Sequence, residues 1–469
     1  MWSWHRLRSS PRALITLGVL GGSFLGALEA TIVATAMPTV VDQLGGLAHY
    51  SWVFSAYLLT STVTTPIWGR LSDIYGRRRF YLAAVVLFVT GSILSGFAQS
   101  MEQLIVFRAL QGIGAGGLLP LGMTILGEIF TLEERARAQA LFAGVWGIAS
   151  VLGPIAGAVI TEGLSWRWVF FVNVPFGIAA GALVTMNLRE AARESRARVD
   201  YTGAVLLMGA VTALMVALNQ SSGTEATLAT GTVRGLYAAA LVLMVVFVVS
   251  QRRSAEPLLP IELLHNRLVA VSTLSNMLLG IGIFGALTFV PLYVQSALGR
   301  SASEAGGVLT PLLLGWVVMS VVTSRLLPRL GHRPFILTGL GCVTVGFFGL
   351  VTVGPGTPFW RMYLDLGVMG VGMGMTMLSL LLAVQGSVPR TQLGVATSLG
   401  AFARSIGGAV GVAVMGALVA SALPASGVAT PATLATGLHR AFVLGATVSV
   451  LALLSGFFLP AELPERPTV

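Results

Sequence analysis

A short turn, Gly69-Arg70-Leu71-Ser72-Asp73-Ile74-Tyr75-Gly76-Arg77-Arg78-Arg79, separates two apolar runs, Ser51 to Trp68 and Phe80 to Ala98. An aspartate and four arginines cannot rest in hydrocarbon, while each flanking run has about the 20 residues that a membrane helix needs. The chain is therefore expected to cross a bilayer, turn at its surface and cross back. Short cytoplasmic loops carry an excess of basic residues, so this turn is placed on the cytoplasmic side. The whole chain fits that reading: 55% of its 469 residues are hydrophobic and 10% are charged, against about 25% charged in a soluble domain.

On the same length rule fourteen spans are expected, at 13–38, 51–69, 79–99, 103–127, 138–161, 167–187, 201–219, 233–250, 268–295, 304–327, 334–353, 359–384, 393–420 and 438–460. Both termini are then cytoplasmic. Arginines check the register: 21 fall in the two tails and the cytoplasmic loops, 5 in the opposite loops (Arg167, Arg234, Arg300, Arg361, Arg440), and Arg108 and Arg404 inside spans. Net charge +10 is thus topology and not a nucleic-acid patch. The first run follows His5, Arg6, Arg8 and Arg12, but it is longer than a signal-peptide core and contains Glu29, so it is read as the first span. The single cysteine, Cys342, lies in an apolar run and excludes a disulfide framework or a cysteine metal site.

An internal repeat gives the domain plan. Shifted by 255 residues, Gly69-Arg-Leu-Ser-Asp-Ile-Tyr-Gly76-Arg-Arg falls on Ser324-Arg-Leu-Leu-Pro-Arg-Leu-Gly331-His-Arg, and Gly112-Ile-Gly-Ala-Gly116 is echoed by Gly370-Val-Gly-Met-Gly374. Two six-helix bundles follow, residues 1–188 and 267–469, with residues 189–266 as a linker carrying two additional spans.

The turn at Gly69 resembles the helix 2–3 signature of the major facilitator superfamily. Leu28-Glu-Ala-Thr-Ile-Val-Ala-Thr-Ala-Met-Pro38 is similar to the first-helix motif of its fourteen-span drug:proton antiporter branch, with Glu29 in place of aspartate. Trp166-Arg-Trp-Val-Phe-Phe-Val-Asn-Val-Pro-Phe-Gly177 resembles that branch's sixth-helix signature, and Arg108-Ala-Leu-Gln111-Gly112 the superfamily's fourth-helix motif. Gly153-Pro154-Ile-Ala-Gly157 resembles the antiporter motif, in which proline kinks the helix and glycine admits a close neighbour; a packing kink with no say in transport direction is the alternative. The resemblance implies an all-α membrane fold of two bundles, and a latch. In that latch, made of Gly69, Arg70, Asp73, Gly76 and Arg77, Gly69 admits the second bundle, Asp73 faces the N-terminus of span 13, and Arg70 and Arg77 hold Asp73.

Ionisable residues within spans are the candidate functional groups, because their cost in hydrocarbon demands a cavity or a partner. Glu29 and Arg108 both fall in the outer half, by the helical rise of 1.5 Å per residue, and can pair. Gln111 stands one turn from Arg108. Asp365 lies at a similar depth in the repeat of span 4 and is read either as a cavity residue or as a boundary residue beside Arg361. Arg404, near mid-membrane in span 13, is read as structural or coupling. Gly282 to Phe284 stand where the repeat of Glu29 would fall, so the amino-terminal half is expected to carry the proton. Trp146, Phe284, Met373 and Met377 are candidate cavity-lining residues.

The expected function is proton-coupled export of amphipathic, often cationic, compounds from a bacterial cell by alternating access. The expected protein is a monomer with no cofactor besides the coupling proton. Export of a lipid or siderophore-like metabolite is the runner-up. A membrane enzyme or a non-transporting sensor is disfavoured, since the five histidines are dispersed and no nucleotide-binding glycine loop occurs.

Overall fold

The computed structural model describes residues 11–130, 132–188, 200–221, 230–254, 257, 261–354, 356–388, 393–423 and 430–460. They form helices joined by short connections. The first seven are α1 (Pro11–Leu44), α2 (Tyr50–Tyr75), α3 (Arg77–Gly96), α4 (Met101–Ile129), α5 (Leu132–Gly163), α6 (Trp168–Phe171) and α7 (Asn173–Asn187). Then come α8 (Tyr201–Ser221), α9 (Thr230–Arg253), α10 (Arg267–Leu292), α11 (Ala302–Leu330), α12 (His332–Val351), α13 (Trp360–Ser387), α14 (Leu393–Ala420) and α15 (Pro431–Gly456).

Twelve helices, counting Trp168–Asn187 as one, are long and apolar enough to cross a membrane among the described residues. This is two fewer than the fourteen expected, and the reason is compositional. Helix α2 carries eight serines and threonines, which dilute its hydropathy. Helix α5 contributes a shorter apolar segment, Gly147–Gly163. The polarity of α2 is used internally. Thr60, Thr64 and Thr65 donate back to Ala56, Thr60 and Ser61 carbonyls of their own helix, and also reach α4 at the carbonyls of Ala109 (2.9 Å), Ile113 (3.3 Å) and Gly116 (3.0 Å). Trp68 Nε1 adds a bond to Ile113 O at 2.7 Å. The Gly116 carbonyl is free because Pro120, four residues on, has no N–H to give it.

The described chain divides into two compact units. One takes residues up to Gly46 and Trp52–Met208, the other Leu47–Ser51 and the chain from Gly209 onward. The boundary cuts α8, so the two additional helices do not form a unit of their own. Within each unit the same helix pairs pack. In the first, α3 packs on α4, and α1 on α5 and α7; in the second, α12 packs on α13, and α10 on α14 and α15.

The glycine repeat shows how. A Cβ on Gly112 or Gly116 would strike the backbone of α2 at Tyr57 and Ser61, and one on Gly114 would strike α3 at Phe88 and Ala84. In the second unit Gly370 and Gly374 meet α11 at Leu312 and Trp316, while Gly372 meets α12 at Gly339 and Val343. Alternate glycines thus seat one helix against two neighbours in both units, as close approach requires. The corners repeat as well: Gly76 between α2 and α3 has φ 106°, and Gly331 between α11 and α12 has φ 79°. Both lie where an L side chain is strained.

A methyl group at either corner should therefore cost about 1–3 kcal/mol. Gly76→Ala and Gly331→Ala are each expected to lower the melting temperature of the detergent-purified protein. Gly69→Ala, whose Cβ would meet nothing within 4 Å, should not lower it; equal losses in all three would refute the corner assignment.

Candidate functional site

Helix α4 begins at Ser100, whose hydroxyl caps it by accepting from Gln103 N. Two turns in, Arg108 and Gln111 share one face, as residues three apart do. Arg108 is 2% exposed, yet it has several partners. It forms an ion pair with Glu29 of α1, which is 1% exposed, and donates from Nη1 to Gln111 Oε1 (2.7 Å) and from Nε to Val53 O (3.4 Å). Its guanidinium carbon lies 4.1 Å from the centroid of Tyr57 and 5.9 Å from that of Phe170, so an aromatic face covers the cation.

The second oxygen of Glu29 is held from the other side. Asn173 Nδ2 donates to Oε2 at 2.6 Å and to Ser92 Oγ at 3.0 Å. Ser92 also accepts from Gln111 Nε2 (3.2 Å) and donates to Phe170 O (2.9 Å). Pro175 sits in the first turn of α7, a position proline tolerates, and Asn173 opens that turn. Five elements thus converge on one carboxylate. One buried polar atom stays without a partner, Asn173 Oδ1. The amide has spent both hydrogens on Glu29 and Ser92, and its acceptor is idle.

The sequence pairing of Glu29 with Arg108 and the place of Gln111 are both present in this geometry. Asn173, Ser92, Tyr57 and Phe170 were not singled out. Asn173 lies inside the Trp166 to Gly177 signature, and an amide just ahead of a proline in an apolar run was the available signal. Ser92 offers none, since serines in helices mostly bond to their own backbone, as Ser95 does to Gly91 O.

Gly153, Pro154 and Gly157 are buried on α5 against the turn of α1 that follows Glu29. A Cβ on Gly153 would overlap Thr31 Oγ1, and one on Gly157 would overlap Thr35 Oγ1. Thr31 Oγ1 bonds to Leu28 O at 3.1 Å and reaches Ala149 O at 3.5 Å.

In the basic turn, the side chains of Arg70 and Asp73 lie outside the described residues. Arg77 donates to Glu128 at the end of α4 (3.0 Å), to Gly69 O (3.3 Å) and to Ser72 Oγ. Glu128 was not foreseen. A Cβ on Gly69 would meet nothing within 4 Å, and the Gly69 carbonyl accepts from Arg77 and from Ser72 Oγ at 2.7 Å.

The other two ionisable candidates belong to the second unit. Asp365 lies beside Arg361, with Nε to Oδ2 at 3.9 Å, and its carboxyl abuts Gly349 of α12. Arg404 Nη1 reaches Asn276 Oδ1 at 3.4 Å. Met373 is fully buried, Phe284 packs on Gly408, and Trp146 has no described side chain.

Comparison with known proteins places this architecture. Residues 19–412 match the profile of the Major Facilitator Superfamily. The multidrug transporter protein MdtP of Bacillus subtilis (strain 168) is 38% identical over 412 residues, covering 88% of this chain and 76% of its own. Multidrug resistance protein 3 of the same organism is 34% identical, covering 86% and 78%. Efflux pump FUS6 of Gibberella moniliformis is 31% identical, covering 86% and 73%. Among solved structures, a D-xylose-proton symporter superposes with a TM-score of 0.68 at 14% identity, over 96% of this chain and 98% of its own, a likeness of fold alone. With a family profile along most of its length and relatives this similar over most of theirs, the chain belongs to the Major Facilitator Superfamily.

Proposed function

We propose that this protein is a proton-coupled exporter of amphipathic, often cationic, compounds, of the fourteen-span drug:proton antiporter branch. It resides as a monomer in a bacterial plasma membrane with both termini cytoplasmic, and needs no cofactor besides the proton. Relatives named as multidrug transporters and efflux pumps support the cargo class. The arginine asymmetry supports the orientation. The count of fourteen is supported by α2 and α5, which have spanning length and, in α2, hydroxyls that bond to backbone carbonyls and so need no water.

The observation that carries the reading is the buried Glu29 carboxylate, with one oxygen on Arg108 and the other on Asn173. Deprotonated, it is satisfied by those donors. Protonated, it loses the ion pair with Arg108, and its new O–H needs an acceptor. Asn173 Oδ1 is the idle one, and a turn of the amide brings it into use. Substrate cation and proton then compete for one carboxylate, which is the simplest route to antiport. Thr31 and Thr35, seated on Gly153 and Gly157, tie this turn of α1 to α5, so a change at Glu29 is felt by the antiporter motif. The turn of Gly69, Arg70, Asp73, Gly76 and Arg77 acts as a latch, with Arg77 anchoring it to α4 through Glu128. Alternating access between the two halves completes the cycle.

In liposomes with an imposed pH gradient, Glu29→Gln is expected to reduce uphill export to the level of protein-free vesicles while leaving substrate binding that no longer varies with pH. Glu29→Asp should retain activity. Asn173→Leu keeps the carboxylate but removes a hydrogen bond to a charged group, worth about 1.5–3 kcal/mol. It should move the midpoint of the pH dependence without abolishing it, which a purely structural residue would not do. Wild-type pH dependence in Glu29→Gln would place the proton carrier elsewhere.

Topology is checked separately. Tags at both termini and between residues 189 and 198 should report cytoplasmic, and a tag between residues 220 and 232 should report external. A cytoplasmic signal from the last would remove α8 and α9 from the spans.

A further inference from the structure

Two arginines, Arg108 and Arg404, stand inside the spans expected from the sequence, and the chain treats them differently. Arg108 has a carboxylate partner. Arg404, about 17 Å from the start of α14 by the helical rise, has none: no described carboxylate forms an ion pair with it. Its one hydrogen bond among the described residues, to Asn276 Oδ1, is long at 3.4 Å. A guanidinium offers five N–H donors, so most of its capacity is unspent, and the side chain is half-buried and reachable. An uncompensated cation at this depth is costly.

The surroundings are built to leave it so. Asn276 is buried and donates its amide to Ser272 O at 2.9 Å, which turns its oxygen to Arg404. One turn before Arg404, Gly400 stands where a Cβ would come 3.3 Å from Asn276 Nδ2, so glycine keeps the space beside the amide clear. Ser272, one turn before Asn276 on the same face of α10, is 1% exposed, and its Oγ has no partner. A fixed guanidinium and an idle hydroxyl within one turn of a shared neighbour make a donor-rich patch that lacks only an acceptor with negative charge.

We infer that Arg404, supported by Asn276 and Ser272, forms an anion subsite in the second unit, which takes the carboxylate or phosphate-type group of an amphipathic compound. Planar guanidinium binds such groups with two parallel charge-assisted bonds. The inference rests on the export reading for the nature of the cargo, and it widens that cargo from cations to zwitterions and acids.

The test is equilibrium binding by the full-length protein in nonionic detergent, with no gradient, so a failure of proton coupling does not affect it. Three dansyl-labelled probes of equal chain length are titrated: an undecanoate, its methyl ester, and the corresponding alkyl phosphate. Wild type is expected to bind an anionic probe on the order of tenfold tighter than the ester, since one well-formed charged pair is worth about that factor. A preference for phosphate names a lipid-like headgroup, and a preference for carboxylate names a free acid. Arg404→Gln should bring the ratio to about one, and Arg404→Lys should retain part of it. Should Arg404→Gln fail to fold, Asn276→Asp supplies an internal carboxylate to the same guanidinium and should also erase the preference while the protein remains folded. No preference in wild type, or a preference unchanged in Asn276→Asp, would overturn the inference.

Discussion

The cost of a charge in hydrocarbon governs the first unit. Glu29 and Arg108 each would be prohibitive alone, and their pairing is tolerable because Nε and Nη1 of the guanidinium and the second carboxylate oxygen find further partners. Such pairs are poor stabilisers: replacement by a well-packed apolar pair is often neutral or favourable, while loss of one partner costs about 3–5 kcal/mol. A buried pair that adds little stability and is dangerous to break is best understood through the change of state it permits. The helices must then come close enough to enclose it. Gly91 is where this is visible, since a Cβ there would lie 2.5 Å from Gln111 N. Its neighbour Ser92 and Gln111 itself meet at 3.2 Å because glycine lets α3 and α4 touch along their backbones.

The same constraint explains the polar side chains of α2. In a bilayer each backbone group needs a partner within the protein, and proline in a helix creates an orphan four residues earlier. Pro120 frees Gly116 O, and Thr65 fills it across the helix interface. Hydropathy counts that threonine against a membrane span, while the structure uses it to satisfy a carbonyl that proline leaves without a donor.

What was legible in the sequence follows from this physics. Spanning lengths, loop arginines and the repeat are properties of the chain's covalent order, and the helices fall on the expected segments. The Glu29 and Arg108 pairing was legible because a charge at that depth must find a partner. Asn173 and Ser92 were not, because neutral polar groups are common in membrane helices and their sequence does not say whether they bond to their own turn or across to another. Glycine is ambiguous for a related reason. A glycine in a motif reads equally as a close contact, a left-handed corner or a spare position. Gly76 is the corner, while the space beside Gly69 is open.

The two units also separate scaffold from chemistry. Between Gly112-Ile-Gly-Ala-Gly116 and Gly370-Val-Gly-Met-Gly374 the glycine contacts recur helix for helix, and Gly76 and Gly331 turn corresponding corners. The charges do not recur. Where the repeat of Glu29 falls, Gly282 packs on the ring of Phe347. Where the repeat of Arg108 falls, Asp365 lies beside Arg361. Arg404 has Trp146 to Ala149 as its counterpart stretch, with no ionisable side chain. Backbone contacts through glycine are indifferent to what the opposite faces carry. The same scaffold therefore carries in one unit a charge-balanced network around a carboxylate and in the other a cation with no ion-pair partner among the described residues. Specificity on such a scaffold is decided by which of these few charges are left for a ligand to complete.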